Sequence, residues 1–283
     1  MMTPDRISHP VTIDSFGLTD PGKSRPTNED NFLIVVIHKS VDVRYSSLSA
    51  DSLAHKFGAA DGYLFVVADG VGGRPEGDVA SERTVAALLE YVSQTVGCFR
   101  QLSTIKEHEL FDRLEETVQK VHQGLLTDYA GRRGGSPATT LTMVLLVWPR
   151  AYLVHVGDSR AYVRRKGKVQ RLTRDQTMGE FMISVGAWTE EQAAGSRPGA
   201  TLSSAIGGSE LTPIVGLIDL EPGDGLMLCT DGLTKHVSDE RISEVLVQSA
   251  NAETMGRQLV TDALDDGGTD NIAVIVAQAG SPG

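Results

Sequence analysis

Acidic residues stand at four places where an apolar segment of the sequence begins or ends. A short apolar run bounded by glycines is typical of a buried strand, and the ends of central strands converge in space. Carboxylates gathered at such ends repel one another unless a positive charge neutralises them. The positions are the pair Glu29 and Asp30, then Asp69, Asp231 and Asp270.

The chemistry that this acidic set favours is the binding of hard divalent cations. Oxygen ligands without a Cys or His cluster beside them suit Mg²⁺ or Mn²⁺ rather than Zn²⁺. The set is larger than one hydrated ion needs, so we expect two ions about 4 Å apart, bridged by one carboxylate and a water. Such a pair turns the bridging water into hydroxide near neutral pH, and the hydroxide can attack a phosphorus atom in line. Arg25, four residues before Glu29, is placed to bind the phosphate oxygens in a bidentate manner.

The elements that must position these residues follow from the apolar periodicity. Apolar residues at helical spacing predict two long helices, over 79–96 and 110–125. The strands come in runs, the helices come in pairs, and a regular βαβ alternation is absent, which favours the α+β class. Two mainly antiparallel sheets packed face to face, with helix pairs outside, would bury the continuous apolar strands on both faces. The predicted strands are 13–18, 32–37, 63–68, 139–147, 152–156, 161–165, 169–172, 214–220, 226–230 and 272–277.

The chain of 283 residues has no Pro/Ser/Gly-rich linker, which indicates a single domain with a core over about 11–278. The polar segment 38–62 shows no clear period and is predicted to be a mobile loop. The segment 175–208 is predicted to form a flap near the site. It should contain a helix over 175–185 and a capping box that begins at Thr189.

The composition of the chain indicates which kinds of partner and which cellular compartment to expect. A net charge of −11 argues against nucleic acid or an acidic membrane as the main partner. Two cysteines, Cys98 and Cys229, do not make a disulfide framework, which fits a reducing compartment. The polar N-terminus does not resemble a signal peptide, and no apolar run approaches transmembrane length. We therefore expect a cytoplasmic protein.

Six short segments, taken in chain order, carry the acidic positions and the turns between them. They are Arg25-Pro26-Thr27-Asn28-Glu29-Asp30, Val67-Ala68-Asp69-Gly70-Val71-Gly72-Gly73, Ala138-Thr139-Thr140, Val156-Gly157-Asp158-Ser159-Arg160, Thr230-Asp231-Gly232-Leu233 and Thr269-Asp270-Asn271-Ile272. Together they resemble the motifs of the metal-dependent protein phosphatases of type 2C, the PPM family, in its bacterial form. One Asp-Gly turn alone would be weak evidence, but six motifs in family order are specific.

The resemblance implies a fold and a role for each matched residue. It implies a β-sandwich flanked by helix pairs, with Asp69 bridging two metal ions. The Gly70 carbonyl and, through water, Glu29 would bind one ion, and Asp231 and Asp270 the other. Two further roles are that Arg25 holds the substrate phosphate and that Asp30 supports the site through an ordered metal-bound water. For Asp158 and Ser159 two interpretations stay open, a place in the site or only a tight turn.

Three departures from the family pattern affect these expectations. Val71 stands where some members have a histidine proposed as general acid, so the leaving alkoxide must be protonated by water or another group. Bacterial members often bind a third metal through an acid just before the Gly-Thr-Thr segment, but 132–137 contains none, so we expect two ions, or a third that other residues hold. The Asn and Arg that the family often shows near the end of the flap are missing from 199–207.

The function that the resemblance implies is a protein serine/threonine phosphatase. It would act as a monomer on phosphorylated proteins and oppose a Ser/Thr kinase. The alternative is a catalytically weak regulatory or binding module on the same fold, which the complete set of carboxylates and Arg25 disfavours. A nucleotide-dependent phosphotransferase is disfavoured too, because the sequence has neither a phosphate-binding Gly-rich loop of the Walker type nor the protein-kinase motifs.

Overall fold

The computed structural model describes residues 11–37, 62–71, 76–96, 107–132, 135–194, 196, 198–248 and 251–280. These residues form two five-stranded sheets in which every neighbouring pair is antiparallel. The first sheet has the order β1 (Ile13–Asp20), β10 (Ile272–Ala279), β9 (Gly225–Cys229), β6 (Arg160–Arg165) and β7 (Lys168–Arg171). The second has the order β2 (Asp30–Ile37), β3 (Gly62–Asp69), β4 (Leu141–Val147), β5 (Arg150–Val156) and β8 (Ile214–Asp219).

Helices cover the outer face of each sheet. Helices α1 (Gly77–Val96) and α2 (Glu107–Asp128) pack on the second sheet, and α5 (Asp231–Thr234), α6 (Asp239–Gln248) and α7 (Ala252–Asp265) pack on the first. Two short helices, α3 (Met178–Ser184) and α4 (Glu190–Ala194), lie in the predicted flap. The predicted α+β sandwich of two antiparallel sheets with helices outside is therefore confirmed.

The surroundings of strand β3 explain why its sequence is apolar up to the final residue. Successive side chains of a strand point to opposite faces. Leu64 and Val66 pack against the helices α1 and α2, whereas Phe65 and Val67 pack against the first sheet. Both faces are buried, so the strand loses the polar alternation of an exposed sheet and carries its only acid, Asp69, at its end.

Helix boundaries follow the capping residues. Helix α7 begins after Asn251, whose side chain accepts a hydrogen bond of 2.8 Å from the Thr254 amide. The capping box at Thr189 is also present, with reciprocal bonds to Gln192. The helix predicted from residue 175 begins instead at Met178, because Thr177 is extended and caps it.

The outcome of three further points of the sequence analysis depends on which residues the structure describes or on the length of the element. The predicted mobile loop falls almost wholly on 38–61, outside the described residues. Within the described part of the chain, no helix combines the length and the apolarity that a membrane-spanning segment needs. The short helix α5 was not predicted, because four residues are too few to show a helical period.

Candidate active site

A cavity of about 310 Å³ opens where β3, β9 and β10 meet the loops that precede β2 and follow β5. Its described lining contains five carboxylates but only two basic side chains. The carboxylates are those of Glu29, Asp69, Asp158, Asp231 and Asp270, and the basic residues are Arg25 and Lys235. Such an excess of acid at a concave surface calls for a further cation.

Asp69 is held in place through its backbone. Its carbonyl accepts hydrogen bonds of 2.9 Å from the Thr140 amide and the Thr139 hydroxyl, and its amide donates to the Thr140 hydroxyl at 3.1 Å. Three bonds to one short segment fix the strand end from which the carboxylate projects. This is the structural role of the Ala138-Thr139-Thr140 segment.

Asp158 and Ser159 have different surroundings. The Ser159 hydroxyl is fully buried and shares a 2.7 Å hydrogen bond with Thr140, so it supports the segment behind Asp69. Asp158 lines the cavity. Asp69, Asp158 and Asp231 each offer an oxygen within 4.8 Å of the other two, an arrangement that could hold a metal ion. The geometry therefore gives Asp158 more weight than its sequence did.

Asp30 lies beneath the cavity. It pairs with Asp69 across the register of β2 and β3, and its side chain is 4% exposed. Its Oδ2 accepts a 2.7 Å bond from the Thr230 hydroxyl, while its buried Oδ1 has no hydrogen-bond partner among the described residues. A buried carboxylate oxygen without a donor is costly unless a water or an ion completes it. Thr230, one residue before Asp231, is a supporting residue that the sequence did not reveal.

Glu29 and Gly70 are packed against each other. The Gly70 amide donates to the Glu29 carbonyl at 3.2 Å. A Cβ at Gly70 would lie 2.6 Å from the carbonyl oxygen of Gly77 and 2.9 Å from the Glu29 Cβ. Only glycine fits there, so this close approach accounts for the Asp-Gly pair.

Asn271 joins the loop of Arg25 to the strand end of Asp270. Its Nδ2 donates to the carbonyls of Pro21 and Thr27, each at 2.9 Å, and its Oδ1 accepts from the Glu29 amide at 2.9 Å. None of these three bonds can be seen from the sequence, since the partners lie more than 240 positions away. Asn271 positions Glu29 and was missed as a site residue.

Asp270 is held by two basic side chains. Arg25 makes a two-pronged ion pair with it, Nε to Oδ1 at 2.7 Å and Nη2 to Oδ2 at 2.8 Å. Lys235 reaches the same Oδ2 at 2.7 Å and Asp231 Oδ2 at 2.6 Å. Lys235 was also missed from the sequence, although its position four residues after Asp231 is the spacing of a helical ion pair.

The carboxyls of this cluster that form no ion pair with Arg25 or Lys235 have raised pKa values. Burial raises the pKa of Asp69 well above its usual range, and the charges of Asp30 and Asp231 add to this. Burial, with Asp231, does the same to the pKa of Asp158. Burial raises the pKa of Asp30 to about 7, although the hydrogen bond from Thr230 opposes it. A cation bound among these groups would favour their ionised forms.

The opposite shift occurs at Asp270. Burial would raise the pKa of its carboxyl, but the hydrogen bonds from Arg25 and Lys235 outweigh burial and lower the pKa below its usual value. Burial likewise disfavours the charged form of Lys235, yet Asp231 and Asp270 together raise the pKa of its amine. Asp270 and Lys235 are therefore an ionised pair near neutral pH.

Asp30 should make the metal-free protein less stable as pH rises. Its folded-state pKa of about 7 exceeds the ordinary value of about 4, so between these values the folded protein holds more protons than the unfolded chain. The stability that the protonated Asp30 carboxyl contributes is therefore fully present below about pH 4 and is lost as pH rises towards 7. We expect Asp30→Asn to flatten this slope and to raise the free energy of unfolding at pH 7.5 by about 2 kcal/mol.

Urea denaturation in EDTA at several pH values between 5 and 7.5 measures this effect. Asp128→Asn is a matched control, because that carboxylate is half-exposed and pairs with Arg83 on the surface. The control should follow the wild-type curve. Parallel curves for Asp30→Asn and the wild type would show that the buried carboxyl does not control the slope.

Comparison with known proteins finds similarity to a family of phosphatases. A family model described as protein phosphatase 2C matches residues 43–266. The serine/threonine protein phosphatase PstP of Mycobacterium tuberculosis is 33% identical over 220 residues, which cover 76% of this chain and 40% of PstP. The protein phosphatase PhpP of Streptococcus pneumoniae is 31% identical over 260 residues, 91% of this chain and 94% of PhpP.

A solved structure adds a metal to the comparison. The catalytic domain of the serine/threonine protein phosphatase PstP, in complex with two manganese ions, superposes with a TM-score of 0.71 at 28% identity, covering 96% of this chain and all of that domain. The chain spans less than half the length of full PstP, so the likeness concerns only part of that relative.

Proposed function

This chain belongs to the protein phosphatase 2C family, and we propose that it is a metal-dependent protein serine/threonine phosphatase. The observation that carries the proposal is the cavity in which Asp69, Asp158 and Asp231 bring oxygens within 4.8 Å of one another beside Arg25. A phosphate ester could enter there and meet both a metal-binding cluster and a guanidinium group.

The residues present fit divalent cations. Oδ1 of Asp30 and Oδ1 of Asp231 are buried without a hydrogen-bond partner among the described residues, and every donor in the cluster is oxygen, which suits Mg²⁺ or Mn²⁺. Two ions would be held by Asp69 with Glu29, Asp30, the Gly70 carbonyl, Asp231 and Asp270, and Asp158 is close enough to share in this. Bound there, they would supply Lewis-acid activation of water and of the phosphoryl group.

Arg25 would bind the phosphoryl oxygens of the substrate. Its side chain is 42% exposed at the cavity, and its fork of donors matches a phosphate as well as it matches Asp270. The ion pair with Asp270 brings the guanidinium to one of the carboxylates that we propose as metal ligands. If the Asp270 carboxylate bound a metal ion instead of Arg25, the N–H donors of the Arg25 guanidinium would be available to the substrate phosphate.

The substrate class is supported by the relatives. PstP and PhpP are both named protein phosphatases, and PstP is named for serine and threonine. We propose phosphoserine and phosphothreonine in proteins as the substrate, with a Ser/Thr kinase supplying it. A monomer in the cytoplasm fits the net charge of −11 and the two cysteines. Val71 lines the cavity and supplies no proton, so protonation of the leaving group falls to water or to another group.

Hydrolysis of matched peptides tests the proposal. The purified chain with Mn²⁺ should release phosphate from a phosphothreonine peptide at least about tenfold faster than from the same peptide with phosphotyrosine, and EDTA should stop both reactions. Turnover unaffected by EDTA would contradict the metal-dependent mechanism. No release above a protein-free control, at saturating Mn²⁺, would leave the regulatory or binding module as the better account.

A further inference from the structure

We propose that Lys235 is a resident cation of the cavity that competes with a divalent metal ion for Asp231 and Asp270. The inference rests on the proposed metal site, and it concerns the affinity of each of the two metal positions and the order in which they bind ions. Lys235 follows the short helix α5 and stands four residues after Asp231, so one helical turn brings its amine back to that carboxylate.

The amine joins the ends of two neighbouring strands. Its Nζ lies 2.6 Å from Asp231 Oδ2, just after β9, and 2.7 Å from Asp270 Oδ2, just before β10. These two carboxylates are 20% and 17% exposed, so the ion pairs are partly shielded from solvent. Lys235 therefore binds the same two side chains that are proposed to hold one of the metal ions.

Occupation by both cations at once is unfavourable. A metal ion on those oxygens would lie within a few ångströms of the ammonium, where repulsion between the two charges is strong in a partly buried site. Asp270 already has a second cation in Arg25. The flexible four-carbon stem of lysine allows the ammonium to swing towards solvent, but the metal ion must first displace it.

The other proposed metal position meets this competition less directly. Among the described residues, Lys235 lies within ion-pair distance of Asp231 and Asp270 but not of Glu29 or Asp69, and only its longer-range attraction reaches the Asp69 carboxyl. Divalent ions should therefore bind in two unequal steps, a tight step that uses Asp69 and Glu29 and a weaker step that requires Asp231 and Asp270 to leave Lys235.

Calorimetric titration of the metal-free protein with Mn²⁺ tests this inference without measuring activity. Lys235→Met keeps the length of the side chain and removes its charge, so the weaker step should tighten by about tenfold or more. Lys235→Arg keeps the charge and should stay within about threefold of the wild type. Lys120→Met is the matched control, because Lys120 pairs with Glu116 at the same helical spacing on an exposed surface; it should change nothing.

Thermal unfolding with and without Mn²⁺ gives a second measurement. If the methionine variant folds poorly, Lys235→Gln provides a second uncharged variant. The rise of the melting temperature on adding Mn²⁺ should be larger in either uncharged variant than in the wild type. Equal Mn²⁺ affinity in the wild type and both uncharged variants would overturn the inference but leave the proposed function intact. A wild-type protein that binds no Mn²⁺ at all would overturn both.

Discussion

Asp69→Asn should lower the turnover of p-nitrophenyl phosphate at saturating Mn²⁺ by at least about 10³-fold. Asp69 is the proposed bridge between the ions, and an amide is a much poorer ligand for Mg²⁺ or Mn²⁺ than a carboxylate. Its backbone bonds to Thr139 and Thr140 do not involve the side chain, so the strand end stays in place.

The loss should not come from unfolding. The pKa of Asp69 is raised by burial and by its acidic neighbours, so its carboxylate is a source of strain in the metal-free protein. Asp69→Asn relieves that repulsion, and the variant should be at least as stable as the wild type in EDTA. Asp128→Asn, on the surface, should change turnover less than twofold. Asp69→Asn that keeps a tenth of the wild-type rate would refute the bridging role.

Gly232→Ala should lower the free energy of unfolding by about 4 kcal/mol or prevent folding. A Cβ at Gly232 would lie 1.9 Å from the carbonyl oxygen of Asn271, so the helix α5 and the start of β10 would have to separate. That separation would move Asp231 away from Asp270, and we expect Mn²⁺ binding to weaken in whatever protein folds.

Gly124→Ala is the matched control for this effect. Both glycines lie in helices, and helix propensity alone predicts that alanine stabilises each by about 0.5–1 kcal/mol. Nothing lies within 4 Å of a Cβ at Gly124, so only there should the gain appear in urea denaturation. A stabilising effect of alanine at Gly232 would show that the two elements are not in close contact.

The sequence identified the residues whose signal is local. Asp69 ends an apolar strand, Asp231 closely follows another, and each precedes a glycine, a pattern that needs no knowledge of the rest of the chain. The fold class was also predicted from local signals, namely the runs of apolar strands and the helical stripes of α1 and α2. The site residues that stand in those motifs remain proposals for metal and phosphate binding.

The residues that were missed depend on contacts between distant segments. Asn271 binds loops near the other end of the chain, and Thr230 looks like part of an apolar strand until Asp30 is seen beside its hydroxyl. Lys235 has a local spacing to Asp231, but the helix that gives this spacing meaning is too short to show a period. Asp158 gained weight only when the fold brought it beside Asp69 and Asp231.

The central claim is that Asp69 organises a divalent metal centre in this cavity, and anomalous scattering from a crystal soaked in Mn²⁺ tests it most directly. We predict two anomalous peaks in the cavity, each about 2 Å from an oxygen of Asp69, with Asp231 beside one of them. A crystal of active protein with no anomalous peak in contact with Asp69 would contradict the account.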